Sequence, residues 1–252
     1  MAAPKKLAIL SDIHGDLGSL QDALVHIERE ACDAIICAGD YVDYGPAPDE
    51  TIALLQQCGA MCIRGNHDRW QLEAAAERSR TPPMDEDHVS EASFASLASL
   101  PTDKHLSEAS FAFLASLPTD LHVTLAGVRV AMWHASPGSD MHKIVPDRVH
   151  AKDVQGWLAT CAAQVLVVGH SHCAFELRAA EGGMIVNPGT LLRTSTLEAC
   201  GLVRLHPASP IQGGTFGILE LPSCRFSVRN SRDGREVPSG ALAQSFAQVE
   251  RV

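Results

Sequence analysis

No stretch of this chain approaches the about 18 consecutive apolar residues that a membrane-crossing helix requires. The opening MAAPKKLAILSD carries two lysines but too short an apolar segment for a secretory leader, so a cytoplasmic location is expected. Positive charge is also scarce. Twenty Lys and Arg against 30 Asp and Glu leave a formal net charge of −10. That balance excludes a nonspecific grip on nucleic acid or anionic lipid. An anionic substrate would need a local positive centre, which bound metal ions could supply. Paired cysteine motifs are missing as well. The eight cysteines, Cys32, Cys37, Cys58, Cys62, Cys161, Cys173, Cys200 and Cys224, are scattered, several in apolar runs such as AIICAG. They read as reduced, mostly buried thiols. Cys58 and Cys62 would make half of a zinc site, but no second pair answers them, and core packing is the better reading.

What remains is an ordinary soluble composition, 46% hydrophobic and 20% charged over 252 residues, enough to bury a sizeable core. KLAIL (6–10), AIICA (34–38) and AMCI (60–63) are short apolar runs ended by loop residues, the pattern of buried strands. Between them, residues 17–32 set Leu17, Leu20, Leu24 and Ile27 at helical spacing, and 51–58 form a second, shorter helix. The order is βαβαβ, which predicts a partly parallel sheet with helices outside. Further strands are expected at 122–126, 128–133, 164–169, 184–187, 200–205, 215–221 and 225–230, the last two joined as a hairpin by Pro222-Ser223-Cys224. Their number in the second half predicts a second sheet packed on the first. The tail after Arg235 carries few turn or strand signals and reads as a loose helix or disorder.

Residues 90–106 and 107–123 are a direct repeat differing at three positions. Two copies fall short of the three units a solenoid needs, so this is a tandem duplication of a helix and its Leu-Pro turn within one domain spanning 1–252. The second copy runs straight into a strand and is expected to hold the structural position, the first being an insertion. Its Ala-rich helix offers a packing surface for a homo-oligomer. His88, His105 and His122 share the 17-residue interval, but no carboxylate or cysteine partners accompany them; duplication explains them better than a metal site.

Five clusters carry the chemistry: Asp12-Ile13-His14-Gly15, Gly39-Asp40-Tyr41-Val42-Asp43, Gly65-Asn66-His67-Asp68, Trp133-His134 and Gly169-His170-Ser171-His172. Each follows a short apolar run and opens a loop. A lone Asp or Asn there is more often a helix N-cap, and a lone His a satisfied core or surface residue. Together they converge at the carboxyl ends of adjacent strands, where open α/β sheets bind ligands. Hard oxygen and imidazole donors suit a divalent-metal hydrolytic centre, and a close metal pair needs a shared carboxylate.

In this order DIHG, GDYVDYGP, GNHD, the histidine of WHASPG, GHSH and the NPG at 187–189 resemble the calcineurin-like metallophosphoesterases, over roughly residues 6–235. The chain looks like their compact, single-domain bacterial and archaeal branch. The resemblance implies a four-layer α/β/β/α sandwich of two mixed sheets flanked by helices. It implies a first metal on Asp12, His14 and His172, a second on Asn66, His134 and His170, and Asp40 bridging them. His67 would be the general acid, oriented by Asp43, with hydroxide held between the metals attacking phosphorus in line. Such ligands suit manganese first, and also iron, zinc, cobalt or nickel. The implied activity is hydrolysis of small phosphate esters, diester or monoester.

One departure bears on substrate. Phosphoprotein phosphatases and the related dinucleoside-polyphosphate phosphatases read GDxVDRG, with an arginine that grips phosphate; here Tyr44 stands in its place. A monoanionic diester needs less cationic support, so diesters are favoured and that phosphatase alternative is disfavoured. Arg64 and Arg193 are candidates to compensate, each otherwise a plain surface arginine. Residues 136–147 are expected to wall the substrate, with His142 an exposed loop residue. The remaining alternative is a silent scaffold like the retromer subunit of this fold. That branch lacks the acid histidine, whereas His67 and all the ligand positions are present here.

Overall fold

The computed structural model describes residues 5–80, 106–199 and 214–238. Its strands are β1 (Lys6–Leu10), β2 (Ala34–Cys37), β3 (Met61–Cys62), β4 (Asp120–Leu125), β5 (Val128–Trp133), β6 (Val165–Val167), β7 (Ala174–Arg178), β8 (Met184–Pro188), β9 (Thr215–Glu220) and β10 (Arg225–Asn230). The helices are α1 (Leu17–Arg29), α2 (Pro48–Gln57), α3 (Asn66–Arg80), α4 (Glu108–Ser116), α5 (Ala151–Thr160) and α6 (Thr194–Ala199).

Among the described residues the strands form two five-stranded sheets, ordered β10-β9-β1-β2-β3 and β4-β5-β6-β8-β7. The segment β1-α1-β2-α2-β3 is the expected βαβαβ unit, and its strands are parallel. β9 runs antiparallel to β1, and the β9–β10 hairpin closes at 221–224 as expected. In the second sheet β5, β6 and β8 are parallel, with antiparallel β4 and β7 at the edges. Both sheets are therefore mixed.

Side-chain alternation assembles the layers, since successive strand residues face opposite sides of a sheet. Leu7 and Ile9 of β1 join Val128, Val130, Met132, Val165, Val167, Met184 and Val186 in one core between the sheets. Ala8 and Leu10 face the other way, onto Leu20, Ala23 and Ile27 of α1 and Ile52 and Leu55 of α2. Ala131, Leu166 and Ile185 take the outward positions of the second sheet, against Val154 and Leu158 of α5. This is the α/β/β/α sandwich.

The second repeat copy is α4 followed by β4. Ser107 caps the helix by accepting from the Ser110 N–H at 3.2 Å, and Leu114 is fully buried. The first copy, apart from Leu106, lies outside the described residues, as do the strand expected at 200–205, His88, His105 and the tail from 239. Exposed His122 sits 3.3 Å from Asp120, a surface pair in keeping with the duplication reading. The cysteines are less buried than expected. Among the described residues all are free, but only Cys37 and Cys161 are buried and Cys58 is exposed, because it caps α2 at the surface.

Candidate metal centre

The five clusters lie directly beyond the carboxyl ends of β1, β2, β3, β5 and β6. A strand leaving the sheet there must turn within one or two residues, and the backbone records it. Asp12, His14, Asp40, Asp43, Tyr44, His170 and His172 all have φ between 51° and 70°. Non-glycine residues in this left-handed region carry about 1–3 kcal/mol of strain each and persist only where surroundings over-determine them. Here the first two loops are laced together: the N–H groups of Asp12, Ile13, His14 and Gly15 donate to the carbonyls of Gly39, Asp40, Asp40 and Tyr41 at 2.8–3.0 Å. The loop carrying His170 is tied in by Gly169 N–H to the His134 carbonyl at 2.7 Å and by His170 N–H to Asp12 Oδ2 at 3.0 Å.

Two donor sets result, joined through a third of His14, Asp40 and His67. Ligand atoms of Asp12, His14 and His172 lie within 4.8 Å of one another, and so do those of Asp40, His134 and His170. Asn66 joins the second set, its Oδ1 2.9 Å from His134 Nε2. Asp40 reaches both, with Oδ2 at 3.1 Å from His134 Nε2 and 3.9 Å from His14 Nε2. His14 and His134 are aimed by backbone carbonyls. Their Nδ1–H groups donate to Val42 at 2.8 Å and Ala38 at 2.7 Å, because a carbonyl only accepts. Each imidazole thereby turns Nε2 into the cluster, the orienting arrangement typical of metal-bound histidine.

The donor atoms fit a cation. Asp12, Asp40, His14 and His134 are fully or almost fully buried. Asp12 Oδ1 and Asp40 Oδ2 are buried without a hydrogen bond, although imidazole nitrogens stand 3.1–3.2 Å away. Buried carboxylate oxygens are costly unless a positive charge lies beside them, a protonated imidazole in the metal-free protein or a cation in its place. Burial pushes His14 down to about 4, and burial with the His134 charge does the same to His170. Both are neutral at pH 7, with lone pairs available. Burial also works against ionised Asp12 and Asp40, but neighbouring His172 and His134 outweigh it; Asp12 is held at about 2 and Asp40 lower still.

Beside this cluster His67 forms a dyad. Its Nδ1 lies 2.6 Å from Asp43 Oδ2, and Asp43 Oδ1 accepts from Gln71 Nε2 at 2.7 Å. Burial depresses the His67 imidazolium, but the Asp43 hydrogen bond and the charges of Asp40, Asp43 and Asp68 raise it on balance. The His67 backbone N–H donates to Asp40 Oδ1 at 2.9 Å, tying the main chain under the dyad to the shared carboxylate.

The sequence profile of the calcineurin-like phosphoesterase superfamily domain matches residues 6–208. The chain belongs to that superfamily. An uncharacterized protein of Methanocaldococcus jannaschii is 28% identical over 187 residues, 73% of this chain and 69% of that one. Serine/threonine-protein phosphatase 1 of Salmonella typhimurium is 31% identical over 74 residues, 29% of this chain and 34% of its own length. A metallophosphoesterase from Sphaerobacter thermophilus shares the fold with a TM-score of 0.62 at 21% identity, covering 93% of this chain and 88% of that one. A hypothetical protein from Pyrococcus horikoshii gives 0.64 at 17%, covering 89% and 87%.

The substrate-contact candidates of this phosphoesterase divide. Tyr44 is at the site, its ring 4.7 Å from that of His14 and 5.2 Å from that of His67. The Arg193 guanidinium is paired with Asp22 on α1, and the Arg193 backbone N–H donates to Asp16 Oδ2 at 3.0 Å. Arg64 is half-buried, and its N–H donates to the Pro118 carbonyl at 2.8 Å. His142 is exposed, as expected, and the 136–147 loop is anchored by Asp140 to Arg69 of α3 at 2.6 Å.

Sequence reasoning missed several supports. Fully buried Asp68 accepts from the N–H groups of Asp40, Tyr41 and Gly65 at 2.8–2.9 Å, pinning one metal loop to another. Its position inside GNHD was the available signal. Ser11 Oγ donates to Asp12 Oδ2 at 2.5 Å. Asn187 of NPG donates to the Gly169 carbonyl at 2.8 Å and the Ser171 hydroxyl at 3.1 Å, holding the GHSH loop. Trp70, one turn into α3, packs its ring 4.7 Å from that of His67.

Proposed function

We propose that this phosphoesterase hydrolyses small phosphate esters with two divalent cations, diesters being the preferred class. Asp12, His14 and His172 would hold one cation, Asn66, His134 and His170 the other, and Asp40 both. When bound, such a pair supplies hydroxide at neutral pH and absorbs charge on the phosphoryl oxygens. The observation that carries the reading is the buried Asp40 carboxylate shared by two donor sets, with the main chain under the His67–Asp43 dyad hydrogen-bonded to it. His67 Nδ1 is committed to Asp43, which leaves Nε2 to protonate the departing ester oxygen. Protonation by an imidazolium needs its pKa above neutrality, the direction in which the surrounding carboxylates move it.

Preference for diesters rests on the loss of the phosphate-gripping arginine of the phosphatase motif. Tyr44 occupies the expected arginine position, and Arg193 and Arg69 are engaged by carboxylates. The local match to a serine/threonine phosphatase favours a phosphoprotein phosphatase as second reading; the tyrosine weighs against it.

The test is hydrolysis of bis-p-nitrophenyl phosphate and p-nitrophenyl phosphate by chelator-stripped protein before and after manganese addition. The reading expects metal-restored turnover, faster with the diester. Turnover of neither substrate by protein with bound metal would refute it, and faster monoester turnover would refute the diester preference.

A further inference from the structure

Three large apolar side chains are exposed among the described residues: Val25, Trp70 and Met141. Two of them stand on the segments that the Arg69–Asp140 ion pair clamps together, Trp70 beside Arg69 and Met141 beside Asp140. Trp70 remains 37% exposed although its ring lies 4.7 Å from that of His67, whose other ring neighbours are His14 at 4.8 Å and half-buried Tyr44 at 5.2 Å. Isolated exposed apolar residues are unremarkable, but an exposed indole packed on the proposed proton donor, with a half-buried phenol beside the same imidazole, marks a contact surface.

The proton donor fixes which part of a substrate meets this rim. His67 must lie within hydrogen-bond reach of the departing oxygen, about 2.6–3.2 Å. The group attached to that oxygen therefore rests against Trp70 and Tyr44, while the phosphoryl group faces the carboxylates. A flat ring suits an indole and a phenol by stacking. An alkyl chain would call for a longer aliphatic trough, whereas this rim is bordered by the polar groups of Arg69, Glu73 and Asp140. Such a wet edge suits a sugar.

The geometry points to a leaving-group subsite for a nucleoside on Trp70 and Tyr44, so that the substrates are phosphodiesters whose departing alcohol carries a base. This rests on the phosphoesterase reading above. In the reaction the water oxygen stays on phosphorus and the P–O bond to the nucleoside breaks. The departing oxygen takes the His67 proton, and His67 recovers one, by way of solvent, from the attacking water.

The experiment compares kcat/KM for thymidylyl-thymidine with that for the same diester lacking both bases, alongside bis-p-nitrophenyl phosphate, using manganese-loaded enzyme. Stacking predicts a preference of about tenfold or more for the base-bearing diester. Trp70→Ala, with metal content checked, should bring the ratio close to one, and Trp70→Phe should retain most of it. Because the ratio is read, a general loss of activity in a variant does not mimic the result. Equal kcat/KM in the wild type, no turnover of thymidylyl-thymidine, or an unchanged ratio in Trp70→Ala overturns the subsite. Bis-p-nitrophenyl phosphate turnover in the same preparation would then leave the phosphoesterase reading standing; its loss with metal bound sinks both.

Discussion

In the proposed mechanism His67 bears the largest single demand in the site, since its proton would have to be present when the ester bond breaks. Replacing it with alanine should retain bound metal and lower kcat by ~10²–10⁴-fold, the usual worth of general acid catalysis; metal analysis and steady-state kinetics on one preparation check both halves. The imidazolium is opposed by burial and supported by the Asp43 hydrogen bond. An acid works only while protonated, so activity should fall as pH rises through this raised value. Asp43→Asn removes a charge that raises it and should move the alkaline limb of the kcat–pH profile to lower pH. An unmoved limb would dissociate Asp43 from the proton. At this scale the sequence was legible wherever a polar residue interrupted an apolar run, as at Asp12, Asp40 and Asn66. It was silent where a group acts through the backbone. The place of Asp68 inside GNHD was a signal that it matters, but not that it gathers three N–H groups, and nothing marked Trp70 as leaning on His67, because both depend on how α3 is rotated.

Loops between the elements carry the strain that aims the ligands, and buried acceptors hold it there. Asp68→Asn would leave one acceptor oxygen and turn an amide donor towards N–H groups of Asp40, Tyr41 and Gly65. An unsatisfied buried group is worth about 1–3 kcal/mol, and each kcal/mol lowers Tm by about 2–4 °C in a domain of this size. A melting curve within a degree of the wild type would contradict the pinning role. Strands were readable where two faces of burial leave near-continuous apolar runs: β1 and β5 occur as read, at 6–10 and 128–133. Edge strand β7 escaped because AFELR is buried only at its first two residues. α3 escaped because its sequence is polar on most sides, and α5 because its buried anchors are just Val154 and Leu158. Tertiary packing, more than periodicity, makes these elements.

For the whole molecule, ionisation, folding and metal uptake are linked. Burial disfavours a charged His134, yet Asp40 and Asp12 raise it to about 10 in the metal-free protein. That value lies above the unfolded 6.5, so its contribution to metal-free stability is full below pH 6.5 and is lost as pH rises towards 10. Asp12, lowered from 3.8 to about 2, contributes above 3.8 and loses its share as pH falls towards 2. A cation needs the His134 lone pair, so uptake at pH 7 should release a proton, detected as a dependence of calorimetric heat on buffer ionisation enthalpy. Buffer-independent heats would argue against His134 as a ligand. The four-layer architecture was legible at this scale because βαβαβ order and strand-rich composition admit few packings. The proposed diester preference was read from Tyr44 in the sequence, whereas the proposed nucleoside subsite was not legible there, since it depends on which side chains occupy the rim. The most direct test of the account is the rate of bis-p-nitrophenyl phosphate hydrolysis measured against bound manganese per chain. The account predicts a rate that climbs with the second equivalent and saturates at two; a chain carrying two equivalents without turnover, or fully active with one, would contradict it.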